Sequence, residues 1–442
     1  MTAPPARPFP LLLPIWLMVF IGVLTSCQST HSPAGSSAKV PRIDLTQKIW
    51  FPPIVRQQGN SCAQQAGVYY LLTAERNRAR GQSSRTPSGR LSPYQSYAIL
   101  ADHMAGGTHV TDGWHLAHET GVPLETDLPK GSRGLMHGFD KYVRALRHKP
   151  DSWKLLPLRT TEDLRTIKDH LAAGHPVACD FQVRGTRMIK IPGGGSLILK
   201  WGDTGPGHTM VYAGYDDSIG WDFNCDGLIT NDRDITGDGK ITLADQEQGA
   251  FLVVNPWGPH WGTGGKAWAP WREHALRPWP RAGEVAIVKA APDATPRQMV
   301  RLSLSLKERQ DLAITVTDGK TRVQPLPFRA APVPWSGNGP AGIWEVFGRV
   351  HRPGPPLSSG PLLNPAGGPL EFGFETKELK ADPFWTLQLE TTGRPLQGTL
   401  HAAALVSLDR NGKITKEIPL PGLPQILPPG GGTWSSHPGT TH

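Results

Sequence analysis

Along the 442 residues the spacing of apolar side chains changes character, and that change limits the fold more than any other feature. From Cys62 to Arg80, Ala66, Val68, Tyr69, Tyr70 and Leu72 fall at helical spacing with no proline, which predicts a helix beginning near Cys62. Gln95–Met104, entered after Pro93, reads as a second helix. Trp114–Thr120 leads into a helix stop at Gly121-Val122-Pro123. Thr161–Ala173 opens with the capping pattern Thr160-Thr161-Glu162-Asp163 and closes at Gly174. Pro176–Phe181, Thr209–Tyr215 and Ala250–Val254 then read as strands. Past Thr295 only short alternating runs remain: Val300–Leu306, Leu312–Thr317, Ile343–Val350, Leu370–Thr376, Trp385–Glu390 and Gly398–Leu408. Helices followed by strands give an α+β unit, and the alternating runs give an all-β, sandwich-like unit after it. The 50 glycines and 44 prolines fit many turns and speak against a helical bundle.

The N-terminus reads as an address. Leu11–Thr25 is apolar and uncharged, is interrupted by Pro14, and is shorter than the ~20 residues a spanning helix needs. It ends Leu24-Thr25-Ser26-Cys27, which resembles the bacterial lipoprotein signal, in which the closing cysteine becomes lipidated. That resemblance implies an envelope protein anchored through Cys27, with Gln28 after it implying outer-membrane retention. A plain secretory signal and an uncleaved anchor are the other readings, and all three place the mature chain outside the cytoplasm. The expected organisation is a signal at 1–27, a flexible tether at 28–47, a catalytic unit at 48–295 with an insert at 216–248, a β unit at 296–412 and a Pro/Gly-rich tail at 413–442, unstructured from about Pro419. The net charge of +9 is scattered without a basic run, so nucleic acid is not an expected partner. Besides Cys27 and Cys62 the chain has Cys179 and Cys225, which form either one disulfide or two separate thiols.

Three segments carry chemistry. In Gln57-Gln58-Gly59-Asn60-Ser61-Cys62-Ala63 the cysteine stands where a helix starts, so amide dipoles point at its sulfur and favour the thiolate. A nearby glutamine, Gln58 or Gln57, can donate its amide N–H to a developing oxyanion together with the Cys62 N–H. In Gly207-His208-Thr209 a histidine enters an apolar strand. In Val254-Asn255-Pro256-Trp257-Gly258-Pro259-His260-Trp261-Gly262 an asparagine ends a strand, where its side chain can fix a histidine tautomer while Trp257 and Trp261 exclude water. The three segments, in this order, resemble the papain family of cysteine peptidases over about residues 48–291. The resemblance implies a papain-like fold with Cys62 as nucleophile, His208 as base, Asn255 orienting the base and Gln58 in the oxyanion hole. The chain departs from the family pattern in the spacing of Gln58, in Ala63 after the nucleophile and in Pro256 after Asn255.

Between the histidine and asparagine segments, two stretches have oxygen-bearing residues at calcium-loop spacing, with Gly at position 6. The first has Asp222, Asn224, Asp226 and Gly227, but Arg233 at position 12, leaving Asp232 or Asp234 to substitute. The second is complete, with Asp234, Thr236, Asp238, Gly239, the Lys240 carbonyl and Asp245. It resembles dockerin and EF-hand loops and implies structural calcium. The expected function is an envelope-anchored cysteine endopeptidase that hydrolyses peptide or protein substrates through a thioester. The alternatives are a papain-like peptide binder without turnover, acyl transfer or amide hydrolysis on cell-wall peptides, and a cell-wall or surface ligand bound by the β unit.

Overall fold

The computed structural model describes residues 42–101, 107–132, 135–276, 284–308, 312–325, 367–377, 379, 384–392 and 394–436. The expected signal, Cys27, most of the tether and the Ile343–Val350 strand lie outside them. The helix expected at Cys62 forms as one run: Cys62–Gln64 is α-helical, Gln65–Leu72 π-helical and Thr73–Arg80 α-helical. Its middle is buried on every side, with Val68, Tyr69, Tyr70, Leu71 and Leu72 all inside the main core. Helices Tyr94–Leu100, Val110–Thr120, Phe139–Ala145, Thr161–Ala172 and Trp271–Ala275 complete the helical part. The capping pattern is realised at Thr160, whose side chain accepts from the Asp163 N–H while Asp163 accepts from the Thr160 N–H.

The first sheet contains β1 (Arg42–Asp44), β2 (Pro150–Pro157), β3 (Val177–Arg184), β4 (Arg187–Lys190), β5 (Ser196–Lys200), β6 (Thr204–Gly220), β7 (Gln248–Val254), β8 (Lys266–Pro270) and β9 (Glu284–Ala290). Their order is β2-β9-β3-β6-β7-β8-β5-β4, with β1 paired to β6. The strand expected from Thr209 begins earlier, at Thr204, so His208 lies within β6 and not at its mouth. Its apolar stretch Met210–Ala213 is fully buried in the main core.

Two further antiparallel sheets follow. One joins β10 (Gln298–Leu306), β13 (Leu370–Glu375), β15 (Gly398–Leu408), β16 (Ile414–Pro419) and β17 (Gln425–Ile426). The other joins β11 (Leu312–Thr317), β12 (Arg322–Val323), β14 (Thr386–Thr391) and β18 (Gly431–Ser435). Inward leucines alternate along β10 and β14, as the period-two pattern requires. The Pro/Gly-rich stretch after 412 supplies β16, β17 and β18, the last two in the part expected to be unstructured. Most of its described prolines and glycines sit in the turns between them, and β16 and β17 both pair with β15.

The β sheets do not have a private core. Leu302, Leu304, Leu387 and Leu400 share one apolar cluster with Tyr94, Leu116, Met136, Phe139, Tyr142 and Leu146 from the helical part. Burying one such side chain is worth roughly 1.5–3 kcal/mol, so this shared cluster couples the two units strongly. Polar contacts reinforce it. Glu371 accepts from the Phe139 N–H at 3.2 Å and Lys149 pairs with Glu375 at 2.7 Å. Gly373 lies flat against the Phe139 ring, where an added Cβ would stand 2.7 Å from Phe139 Cε2 and 2.8 Å from the Val300 carbonyl oxygen. Gly373→Ala is therefore expected to destabilise the chain by about 1–3 kcal/mol. Calorimetry of the variant should show one peak moving as a whole. Two peaks, of which only one moves, would show that the cores are independent.

Candidate active site

Cys62 opens its helix behind Ser61, which makes no side-chain cap, so the first-turn amides are not claimed by a capping oxygen. The N–H groups of Cys62, Ala63 and Thr209 face the sulfur. Burial is nonetheless the stronger influence and pushes the Cys62 thiol up; the Asp180 carboxylate acts in the same direction, against the three amides. The sulfur lies 4.0 Å from the Asn60 carbonyl oxygen, and among the described residues no hydrogen bond joins it to the His208 ring. Such contacts are commonly loose without substrate and tighten on binding.

His208 is buried, which holds its imidazole below the ordinary value although the Asn255 hydrogen bond and Asp180 work the other way. Its Nε2 lies 2.8 Å from Asn255 Oδ1. The same oxygen accepts the Trp257 N–H at 2.9 Å. A backbone amide can only donate, so the Asn255 atom at this point is oxygen, and His208 Nε2 must carry the proton. In the neutral ring, Nδ1 then bears the lone pair. The Trp257 ring covers the imidazole at 4.7 Å between centroids, tilted by 30°, with its outer side exposed. Trp261, expected to share this shielding, is partly buried against the main core.

Asn255 is fixed by its place directly after β7 and by its own N–H bond to the Gly265 carbonyl at 3.0 Å. Gly258, at φ +89, brings this loop against the Gln57–Gln58 segment; a Cβ there would meet the Arg56 backbone nitrogen at 2.8 Å. The Gln57 N–H donates to the Pro256 carbonyl at 2.7 Å. The two candidate glutamines differ in what their amides do. Gln57 Nε2 donates to the Gly59 carbonyl at 2.8 Å, whereas Gln58 Oε1 accepts the Gly131 N–H at 3.0 Å. Anchored through its oxygen, Gln58 keeps its NH₂ as the available donor.

Two residues that sequence patterns did not single out belong here. Asp180, on β3, acts electrostatically on both Cys62 and His208 and accepts the Thr209 hydroxyl at 2.6 Å. The only signal for it is the β3–β6 register, Asp180 opposite Thr209 and Phe181 opposite His208, which no local pattern encodes. Cys179 is a buried free thiol, so the Cys179–Cys225 disulfide does not form. Cys179 Sγ lies 3.8 Å from His274 Nδ1, which also meets the Tyr212 hydroxyl at 3.0 Å. This second cysteine–histidine pair lacks a helix N-terminus. Its sulfur lies within donating range of the Asp180 and Glu284 carbonyls at 3.9 and 3.7 Å, which favours the neutral thiol.

In the insert, Asp234 accepts the Gly237 and Gly239 N–H groups, and Asp222 accepts those of Asp226 and Gly227. Asp245 is fully buried and accepts from Ile235, Thr236 and Thr242, positions 2, 3 and 9 of its loop. Burial acts to raise its carboxyl, but these donors prevail and hold it at about 2. The first loop has the same closure from an unexpected residue. Buried Glu247 accepts from Phe223 at 2.7 Å and Thr230 at 3.2 Å, again positions 2 and 9. Neither Asp232 nor Asp234 takes that part; Arg233, at position 12, pairs with Asp226 at 3.5 Å. Asn224 bonds Asp226 through its Nδ2 at 3.1 Å, Thr236 donates to Asp234 at 3.2 Å, and Asp238 accepts the Lys240 N–H at 2.9 Å. Among the described residues no three His, Cys, Asp or Glu side chains already converge as a metal site.

No protein-family model matches the chain, and no curated protein matches it. Solved structures similar to it include xylellain, a cysteine protease from Xylella fastidiosa, at 17% identity over 57% of this chain and 87% of that one, with a TM-score of 0.36. The bromelain protease from Ananas comosus, in complex with the E64 inhibitor, is 13% identical over 57% and 99%, with a TM-score of 0.37. A digestive procathepsin L2 proteinase from Tenebrio molitor larval midgut is 16% identical over 58% and 70%, with a TM-score of 0.38. At this level of likeness the reading of the site rests on its own residues.

The opposed shifts of Cys62 and His208 describe a resting pair of neutral thiol and neutral imidazole at pH 7. A raised thiol yields thiolate only above the ordinary cysteine range of about 8.5. Iodoacetamide alkylation of Cys62 should therefore climb on the alkaline side. A rate plateau reaching down into mildly acid pH would instead reveal a standing thiolate–imidazolium pair.

Proposed function

We propose that the chain is a cysteine endopeptidase of papain type that hydrolyses peptide bonds outside the cytoplasm. One observation carries the reading: Asn255 fixes the His208 ring with Nδ1 unprotonated, while the amide of the next residue, Thr209, faces the Cys62 sulfur. In the first step His208 Nδ1 accepts the thiol proton and Sγ bonds to the substrate carbonyl carbon. The Cys62 N–H and the Gln58 NH₂ stabilise the oxyanion. His208 returns the proton to the leaving amine as the C–N bond breaks, leaving a thioester. Water, deprotonated by His208, then attacks the thioester and regenerates the thiol. Anchoring through a lipidated Cys27 is part of the same proposal and rests on the sequence alone.

An epoxide thiol inhibitor should add one adduct, on Cys62, found by peptide mass mapping, and Cys62→Ala should abolish both labelling and casein hydrolysis. Labelling of Cys179 in place of Cys62 would transfer the role to the Cys179–His274 pair. No labelling with no hydrolysis would leave a peptide-binding scaffold.

We further propose that the insert binds calcium through Asp222, Asn224 and Asp226 in the first loop and Asp234, Thr236, Asp238, the Lys240 carbonyl and Asp245 in the second. The parallel closures by Glu247 and Asp245 support it, since each loop then ends on a buried carboxylate beside its other oxygen donors. The ion would neutralise those carboxylates and fix the loops. Excess EGTA should lower the melting temperature by several degrees and calcium should restore it; an unchanged melting curve would remove the ion from the account.

A further inference from the structure

The β unit supplies none of the groups that carry the peptidase chemistry, yet one set of its polar contacts falls on a single short stretch of the helical part. Glu371, on β13, bonds three consecutive residues there. Its N–H donates to His137 Nδ1 at 3.0 Å, its carbonyl accepts the Gly138 N–H at 2.9 Å, and its carboxylate accepts the Phe139 N–H at 3.2 Å. Arg301, on β10, donates to that carboxylate through Nε at 2.6 Å and lies 5.7 Å from the centre of the Phe139 ring.

The helix Phe139–Ala145 passes this hold on. Near its far end Arg144 forks onto Asp127, Nε to Oδ2 at 3.2 Å and Nη2 to Oδ1 at 2.7 Å. A two-point contact between guanidinium and carboxylate fixes direction as well as distance. Asp127 leads into a turn whose Leu128 is buried in the apolar cluster shared with the β unit. Gly131, in the same turn, has φ +93, a backbone form that residues with side chains rarely adopt. Its N–H is the group that holds Gln58 Oε1, at 3.0 Å. Because the side-chain amide is planar, the anchored oxygen sets the direction of the Gln58 NH₂.

Resting on the peptidase reading, we propose that the β unit positions the oxyanion donor. Glu371 and Arg144 are positioning residues that act on Gln58 through the Asp127–Gly131 turn. On this account the unit contributes to turnover without touching substrate.

Two measurements on the full chain test this, each made below the melting temperature of the variant. In peptide cleavage, Arg144→Met and Glu371→Ala should each lower kcat by about tenfold with KM unchanged, a fraction of the roughly 10²–10³ that removing an oxyanion donor costs. Placed in a Gln58→Ala chain, the same substitutions should cost nothing further, because the group they position is gone. Alkylation of Cys62 by iodoacetamide develops no oxyanion, so its rate should stay that of the parent chain. Independently of turnover, hydrogen exchange read by mass spectrometry in overlapping peptides should show the Gly131 amide exchanging several times faster in Arg144→Met, Glu371→Ala and Gln58→Ala. Should Glu371→Ala fail to fold, Arg301→Met, which frees the Glu371 carboxylate and leaves its backbone bonds, takes its place. An unchanged kcat or an unchanged Gly131 exchange in either folded variant overturns the proposal and leaves the peptidase standing. So does a loss that persists in the Gln58→Ala chain, or an equal loss of alkylation rate. An absence of all cleavage by the parent chain fails the peptidase reading, and exchange then decides the coupling alone: a Gly131 amide as slow in the variants as in the parent overturns it.

Discussion

The Asn255 side-chain oxygen is the point on which the candidate site turns. It accepts two hydrogen bonds, one from the Trp257 amide and one from the His208 ring, within a fully buried position. The amide fixes which atom of the asparagine faces the ring, and the asparagine in turn fixes which ring nitrogen bears the proton. The same tight turn carries the Trp257 ring over the imidazole, so water has little access to that bond. A histidine held in this way delivers a lone pair at Nδ1 without a carboxylate partner, which suits a base that must alternate between accepting and donating a proton near neutrality.

The sulfur is in tension with its setting. Three amides and a helix start stabilise the thiolate, yet burial and the Asp180 carboxylate oppose it. A neutral resting thiol is less prone to oxidation than a standing thiolate, because susceptibility follows thiolate character and exposure. The Asp180 carboxylate has a second effect: it favours the protonated form of His208, against the burial of the ring.

Much of this was legible in the sequence because it depends on local rules. A helix with apolar residues at 66, 68, 69, 70 and 72 must begin near Cys62, and a strand of apolar residues ending at Val254 must present Asn255 at its end. The Thr160 cap follows from four consecutive residues. What sequence reading missed depends on register and long-range packing. Asp180 enters the site only through the pairing of β3 with β6. The different engagements of the two glutamine side chains, Gln57 with the Gly59 carbonyl and Gln58 with the distant Gly131 amide, are likewise not readable from the local sequence. The stretch from about Pro419 looks unstructured by composition, yet it forms strands because β15 and β14 offer edges on which it can pair. Glu247 closes the first loop from beyond the second, at a separation no loop pattern anticipates.

That closure explains why an insert can sit between the strands of the base and the orienting residue without loosening them. β6 and β7 pair as Val211 with Val254 and Tyr212 with Val253, but the ladder is irregular between Tyr212 and Tyr215 and again between Asp216 and Gly220. A one-residue slip in this pairing would turn every side chain of β7 to the opposite face. The insert pins the far end of this ladder. Asn231 exchanges two hydrogen bonds with the Gln248 backbone at 2.9 Å each, and Glu247 holds Phe223 and Thr230 immediately beside it. With Gly220 tied opposite Gln248, the register of β7 is set before it reaches Val254, and Asn255 arrives on the face where His208 waits. The insert thus bears on the position of Asn255 through strand register, although it lies at the far end of the hairpin.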